Sequence, residues 1–105
     1  MMYQHKKGAT LSLAGVITAT GSSTLPNFTG TVGSSQIRLL NDSLVDTLTV
    51  EWLDIATRSV KVYKKDTQDW PLGVAELDIK FTNTAGEVLF TSTQLVEIVK
   101  GITHA

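Results

Sequence analysis

One ten-residue run limits this chain more than any other feature. From Gly73 to Thr82 the sequence reads GVAELDIKFT, with Ala75, Leu77, Ile79 and Phe81 alternating with Glu76, Asp78, Lys80 and Thr82. Successive side chains of an extended chain point to opposite faces, so the run sets an apolar face on a core and a polar face in water. A helix would scatter the same residues around its circumference. The segment is therefore a half-buried strand, and it needs further strands and a second layer to cover it.

The rest of the chain supplies them. Fifteen Thr, ten Val and six Ile make 31 of 105 residues β-branched. Such side chains are stiff at χ1 and fit a pleated surface better than a helix. No segment keeps a 3.6-residue apolar period over three turns. Ala9 to Thr20 alternates, with Leu11, Leu13, Gly15 and Ile17 on one face. Thr47 to Ile55 turns Leu48, Val50 and Trp52 inward, and Arg58 to Lys64 does the same with Val60 and Val62. Ala56-Thr57 joins these two as a hairpin. Gln36–Leu40, Glu87–Ser92 and Thr93–Val99 complete the expected strands, with a turn at Asn83-Thr84-Ala85-Gly86. Gly21 to Ser35, rich in Gly, Ser and Thr, reads as a long loop holding a short edge strand near Phe28–Val32.

Six or seven short strands in about 100 residues, without a helix, predict an all-β fold: an antiparallel immunoglobulin-like β-sandwich of about seven strands. Trp52 takes the central core position. Residues 1–8 are expected to be a flexible N-terminal arm, 9–100 one domain, and 101–105 a C-terminal tail.

Composition then removes whole classes of function. With no cysteine there is no thiol nucleophile, disulfide or thiolate metal site. A net charge of −1 lacks the basic footprint of a nucleic-acid binder. No run approaches the ~20 apolar residues of a membrane-spanning helix, and the polar opening MMYQHKK lacks the apolar core of a secretory signal. The expectation is synthesis in a cytoplasm, with no nucleic acid and no membrane as partner.

Chemistry is sparse. His5 and His104 lie within five residues of the two ends, where chains fray, so both are expected to be dispensable to the fold. Glu76 and Asp78 share a strand face about 6.5–7 Å apart, a glycosidase-like separation, but Lys80 continues the row as an ordinary solvated face. Asp66 and Asp69 lack calcium-loop order. These patterns predict no enzyme, no cofactor and no metal. The residues singled out for partner or ligand contact are Trp70, in a polar loop before Pro71, with Tyr63, Lys64 and Lys65. An exposed Trp70 would serve as an anchor or a sugar-stacking platform; otherwise it folds back to cap the core.

Three stretches carry a family resemblance: Tyr3 to Gly15 (YQHKKGATLSLAG), Trp70 to Thr82 (WPLGVAELDIKFT) and Val96 to Thr103 (VEIVKGIT). Together they resemble small proteins encoded by tailed bacteriophages and prophages. In style they are similar to the immunoglobulin-like N-terminal domain of phage baseplate proteins. Gly21 to Gln68 matches poorly. The resemblance implies a virion structural role in tail or baseplate, made in a bacterial cytoplasm, with other phage structural proteins or a second copy as partner. It carries over no catalytic residue. The alternative is a carbohydrate-binding or host-adhesion sandwich.

Overall fold

The computed structural model describes residues 2–18 and 28–102. The fold is all-β. Its strands are β1 (Tyr3–Lys6), β2 (Leu11–Val16), β3 (Val32–Leu39), β4 (Leu44–Asp54), β5 (Ser59–Lys64), β6 (Gly73–Thr82), β7 (Val88–Phe90) and β8 (Gln94–Val99). They form one eight-stranded sheet in the order β1-β8-β6-β3-β4-β5-β2, with β7 also on β6.

The long strand β4 lets this sheet fold over on itself. Leu44 to Leu48 pair with β3, whereas Thr49 to Asp54 pair with β5. Irregular register on both sides, at Ile37/Arg38 and at Trp52/Asp54, bends the strand and increases its twist. The β2–β5 half thus faces the β6–β8 half. Inward rungs meet in the middle: Leu11, Ile37, Ala75 and Val96 are fully buried, with Phe81 and Ile98 nearly so. Each large aliphatic or aromatic side chain so buried stabilises the fold by about 1.5–3 kcal/mol.

β6 spans the expected residues, and its apolar row is buried throughout. β2, β5, β7 and β8 also stand within the expected segments, whereas β4 begins at Leu44, ahead of the expected Thr47. Three expectations need correction. The expected arm over residues 1–8 contains β1, which pairs parallel with β8, Tyr3 opposite Val96 and His5 opposite Ile98. This one pair breaks the all-antiparallel expectation. The strand forms because the edge of β8 offers main-chain groups, and its own signal is faint because its one buried residue is His5 rather than a row of aliphatics.

Second, the loop expected to reach Ser35 ends at residue 31, and Val32 starts a central strand between β6 and β4 rather than an edge. A Cβ on Gly33 would come within 2.6 Å of Val50 Cγ1, so only glycine permits this approach. Ser35 is buried, and its hydroxyl donates to the Asp78 carbonyl at 2.6 Å. Third, Trp52 faces inward as expected but is only half-buried, packed against the rim of the core. The remainder of the Gly21 loop, through Asn27, and the tail from Thr103 lie outside the described residues.

Candidate functional site

Trp70 organises one end of the molecule. Asp66 Oδ1 accepts from the Gln68 amide at 3.0 Å, and the Trp70 amide donates to the Thr67 carbonyl at 3.2 Å. This tight turn before Pro71 drives the indole inward, where it is 2 % exposed. Its Nε1 donates to Asp46 Oδ2 at 2.9 Å. The other oxygen, Asp46 Oδ1, accepts from the Thr47 amide at 2.8 Å and lies 3.3 Å from Lys64 Nζ. Burial would raise the Asp46 carboxyl, but the bonds from Trp70, Thr47 and Lys64 outweigh it and hold the group below the usual carboxylate range.

The other face of Trp70 meets His5, ring centroids 5.1 Å apart. His5 Nε2 lies 3.0 Å from Thr67 Oγ1. That hydroxyl donates to the Ala9 carbonyl at 2.6 Å and accepts from the Gly8 amide at 3.0 Å. Its single proton is committed to Ala9, so the bonding pattern assigns the proton of the His5 contact to Nε2. Burial pushes the His5 pKa down, and the nearby Ala9 carbonyl opposes this only in part. Its burial favours the neutral imidazole, packed on Trp70 and bonded to Thr67.

These contacts rearrange the residues singled out by sequence. Trp70 and Lys64 come together through Asp46. Tyr63 points from the opposite face of β5, with Lys61 Nζ 5.0 Å above its ring. Lys65 is exposed, and its carbonyl accepts from Thr10 Oγ1 at 2.9 Å. No shared surface joins the four, and Trp70 offers no open ring face. His5 does not lie at a frayed end: it is 2 % exposed and bonded to Thr67. His104 lies outside the described residues. Sequence reasoning missed Asp46 and Thr67. Asp46 was legible, because it shares the period-two row of Leu48, Val50 and Trp52; Thr67 left no local signal.

The opposite end is aromatic. The Thr31 amide donates to the Phe28 carbonyl at 2.9 Å across a turn in which Gly30 takes φ +77°. A second turn, built on Asn83, runs beside it. Asn83 Oδ1 accepts from the Ala85 and Glu87 amides at 3.0 and 2.9 Å. Trp52 and Phe81 stack at 5.1 Å, Phe28 tilts against both, and Trp52 Nε1 donates to the Thr31 carbonyl at 3.1 Å. Between the turns lies a cleft of about 200 Å³ lined by Phe28, Thr31, Phe81, Glu87, Val88 and Leu89, with Asn83 at its edge.

On the outer face above this cleft, Val32, Thr82 and Val88 form one rung, and Ser34, Lys80 and Phe90 the next. Val32, Val88 and Phe90 are 69 %, 49 % and 58 % exposed. β1 extends the sheet beside β8 but not beside β7, whose outer edge is unpaired among the described strands.

No family model and no curated protein matches the chain. Its fold is shared with solved structures. CopC from Methylosinus trichosporium OB3b superposes over 99 % of this chain and 89 % of its own, with a TM-score of 0.54 and 9 % identity. At that identity the likeness concerns the fold alone. Among the described residues no three His, Cys, Asp or Glu side chains gather as a metal site. No described helix is long and apolar enough to cross a membrane.

Proposed function

We propose that this chain is a non-enzymatic structural or assembly protein that acts through protein–protein contacts. In finer detail its folded-over sheet is an immunoglobulin-like sandwich, and its place is the tail or baseplate of a phage particle assembled in a bacterial cytoplasm. The observation that carries this reading is the apolar strip of Val32, Val88 and Phe90 beside the unpaired β7 edge. Monomeric proteins seldom leave adjacent large apolar residues open without a use, and a free strand edge supplies main-chain bonds to an added strand. Lys80, between Ser34 and Phe90 on the same face, is the kind of charge that keeps such an edge from indiscriminate pairing. The phage assignment itself comes from the resemblance of the β1–β2, β6 and β8 segments.

Co-expression with the products of the genes beside its own tests the reading. A stable complex with one of them is expected, together with its loss in Phe90→Asp at unchanged melting temperature. A strict monomer at high concentration that binds none of those products would overturn it. A glycan-binding role would need an exposed aromatic platform, and buried Trp70 does not supply one.

A further inference from the structure

The sheet has a second free margin, on β2. This strand ends the strand order, and among the described strands it pairs with β5 alone. Sheet edges are normally shielded by brevity, charge, proline or a bulge, because open main-chain groups invite a further strand. β1 is four residues long and carries Lys6, and β7 is three residues long beside Lys80. β2 has none of these devices. It runs six residues, Leu11–Val16, in unbroken register with β5 and without a charge or a proline.

The ladder fixes which of its groups are open. The Ile17 amide donates to the Arg58 carbonyl at 3.0 Å, so these two residues form a hydrogen-bonded pair. Such pairs alternate along an antiparallel ladder. Leu11, Leu13 and Gly15 therefore turn their main-chain groups to Lys64, Val62 and Val60. The amides and carbonyls of Ser12, Ala14 and Val16 point away from the sheet, and all three residues are exposed.

This margin complements itself. Two β2 strands related by a two-fold axis at Ala14 run antiparallel, with Ala14 opposite its own copy and Ser12 opposite Val16. Every outward amide then meets an outward carbonyl. Leu13 falls opposite Gly15 of the second copy, where an added Cβ would meet nothing within 4 Å, and its half-buried side chain covers that bare backbone. Charge favours a second copy as the occupant. A strand that pairs with itself sets any charge near the axis against its own sign, and β2 carries none. In the Ala14 row the nearest charges, Lys61 and Glu51, already form an ion pair at 3.5 Å, so they leave no net charge to select a charged foreign strand. We propose that β2 joins two copies of this chain edge to edge, through an antiparallel β2–β2 ladder centred on Ala14. The inference goes beyond the assembly reading, which rests on β7 at a different margin of the sheet.

Sedimentation equilibrium of the full chain from about 10 μM to about 1 mM tests it. A monomer–dimer equilibrium is expected, with Kd on the order of 100 μM for one pair of short strands. Amide exchange should follow the ladder. On dimerisation the Ser12, Ala14 and Val16 amides gain protection, while Leu13 and Gly15, bonded already in the monomer, change little. Ala14→Lys sets like charges across the axis and should weaken the dimer about tenfold or more at an unchanged melting temperature. Mixing Ala14→Lys with Ala14→Glu should give a heterodimer tighter than the Ala14→Lys homodimer, which a fold defect would not produce. A chain that stays monomeric at the highest concentration would overturn the proposal, and the assembly reading would survive if that monomer still bound the product of a neighbouring gene. Dimers kept in Ala14→Lys but lost in Phe90→Asp would also overturn it and assign self-association to the β7 margin.

Discussion

Two buried threonines stand near opposite ends of the molecule and are treated in opposite ways. Thr67 Oγ1 contacts Ala9, Gly8 and His5, whereas Thr31 Oγ1 contacts no partner. The difference lies in what each end must close. Near Thr67 the chain passes from β1 to β2, which are consecutive in sequence yet occupy the two extremes of the sheet. Such a corner leaves main-chain groups outside any ladder, and the Gly8 amide and Ala9 carbonyl would be orphans without Thr67. Near Thr31 the turns satisfy themselves through Asn83 and the Phe28 carbonyl. Thr31's hydroxyl is surplus to the fold there, buried without a partner. One end is a seam closed by a shared hydroxyl, and the other is closed by its turns and aromatic rings.

The contrast is open to attack, beginning with the largest effect. Trp70→Ala removes a fully packed indole and strips Asp46 of a donor. It should cost about 3–5 kcal/mol in urea unfolding, and a loss below about 1 kcal/mol would place the seam's anchor elsewhere. Thr67→Val keeps the shape but orphans the Gly8 amide and the Ala9 carbonyl. About 2–4 kcal/mol is expected, and a neutral result would mean that water replaces the hydroxyl.

Next is pH. His5 has a lowered pKa in the folded state, so below about 6.5 the unfolded chain takes up a proton that the native imidazole resists. Stability from this group is complete above about 6.5 and falls as pH drops from there toward the native value. Asp46, also lowered, adds its loss below about 3.8, as the carboxylate is protonated. Melting temperatures from pH 8 to 5 should decline in wild type. In His5→Phe the part of that decline due to His5 should vanish, and an identical slope in both proteins would show that His5 does not titrate with unfolding. The smallest effect belongs to Thr31. Thr31→Val should leave stability within about 0.5 kcal/mol or raise it by up to about 1 kcal/mol, since the hydroxyl it removes is unpaired. A cost above 2 kcal/mol would reveal a partner for that hydroxyl and erase the contrast between the two ends.

How much of this was legible in the sequence follows from the range of each signal. β6 was readable to the residue because eight alternating positions, Ala75 to Thr82, carry one message. The inward rows of β2, β4 and β5 were readable for the same reason. β1 was not: His5 is its one buried residue, and one position makes no period. The second half of β3 was readable as the strand from Gln36, but its first half looked like loop, because Gly33 and Ser35 have weak strand preference. They serve there because Val50 crowds the first and the Asp78 carbonyl receives the second. Trp70 was noticed as an aromatic in a polar loop, but the direction of its side chain depended on Asp46, 24 positions away.

The chain by itself determined its class. Period-two alternation, 31 β-branched residues and no sustained helical period leave an all-β fold as the consistent outcome, since each residue's local preference agrees with its neighbours'. Tertiary structure alone decided where the sheet closes and what its two ends hold. His5, Asp46, Thr67 and Trp70 are ordinary where they stand in sequence. They acquire meaning only when strands distant along the chain set a carboxylate, a hydroxyl and two rings within hydrogen-bond and stacking distance. Thr31 is ordinary too, and its unpaired hydroxyl is the product of two turns that need nothing from it.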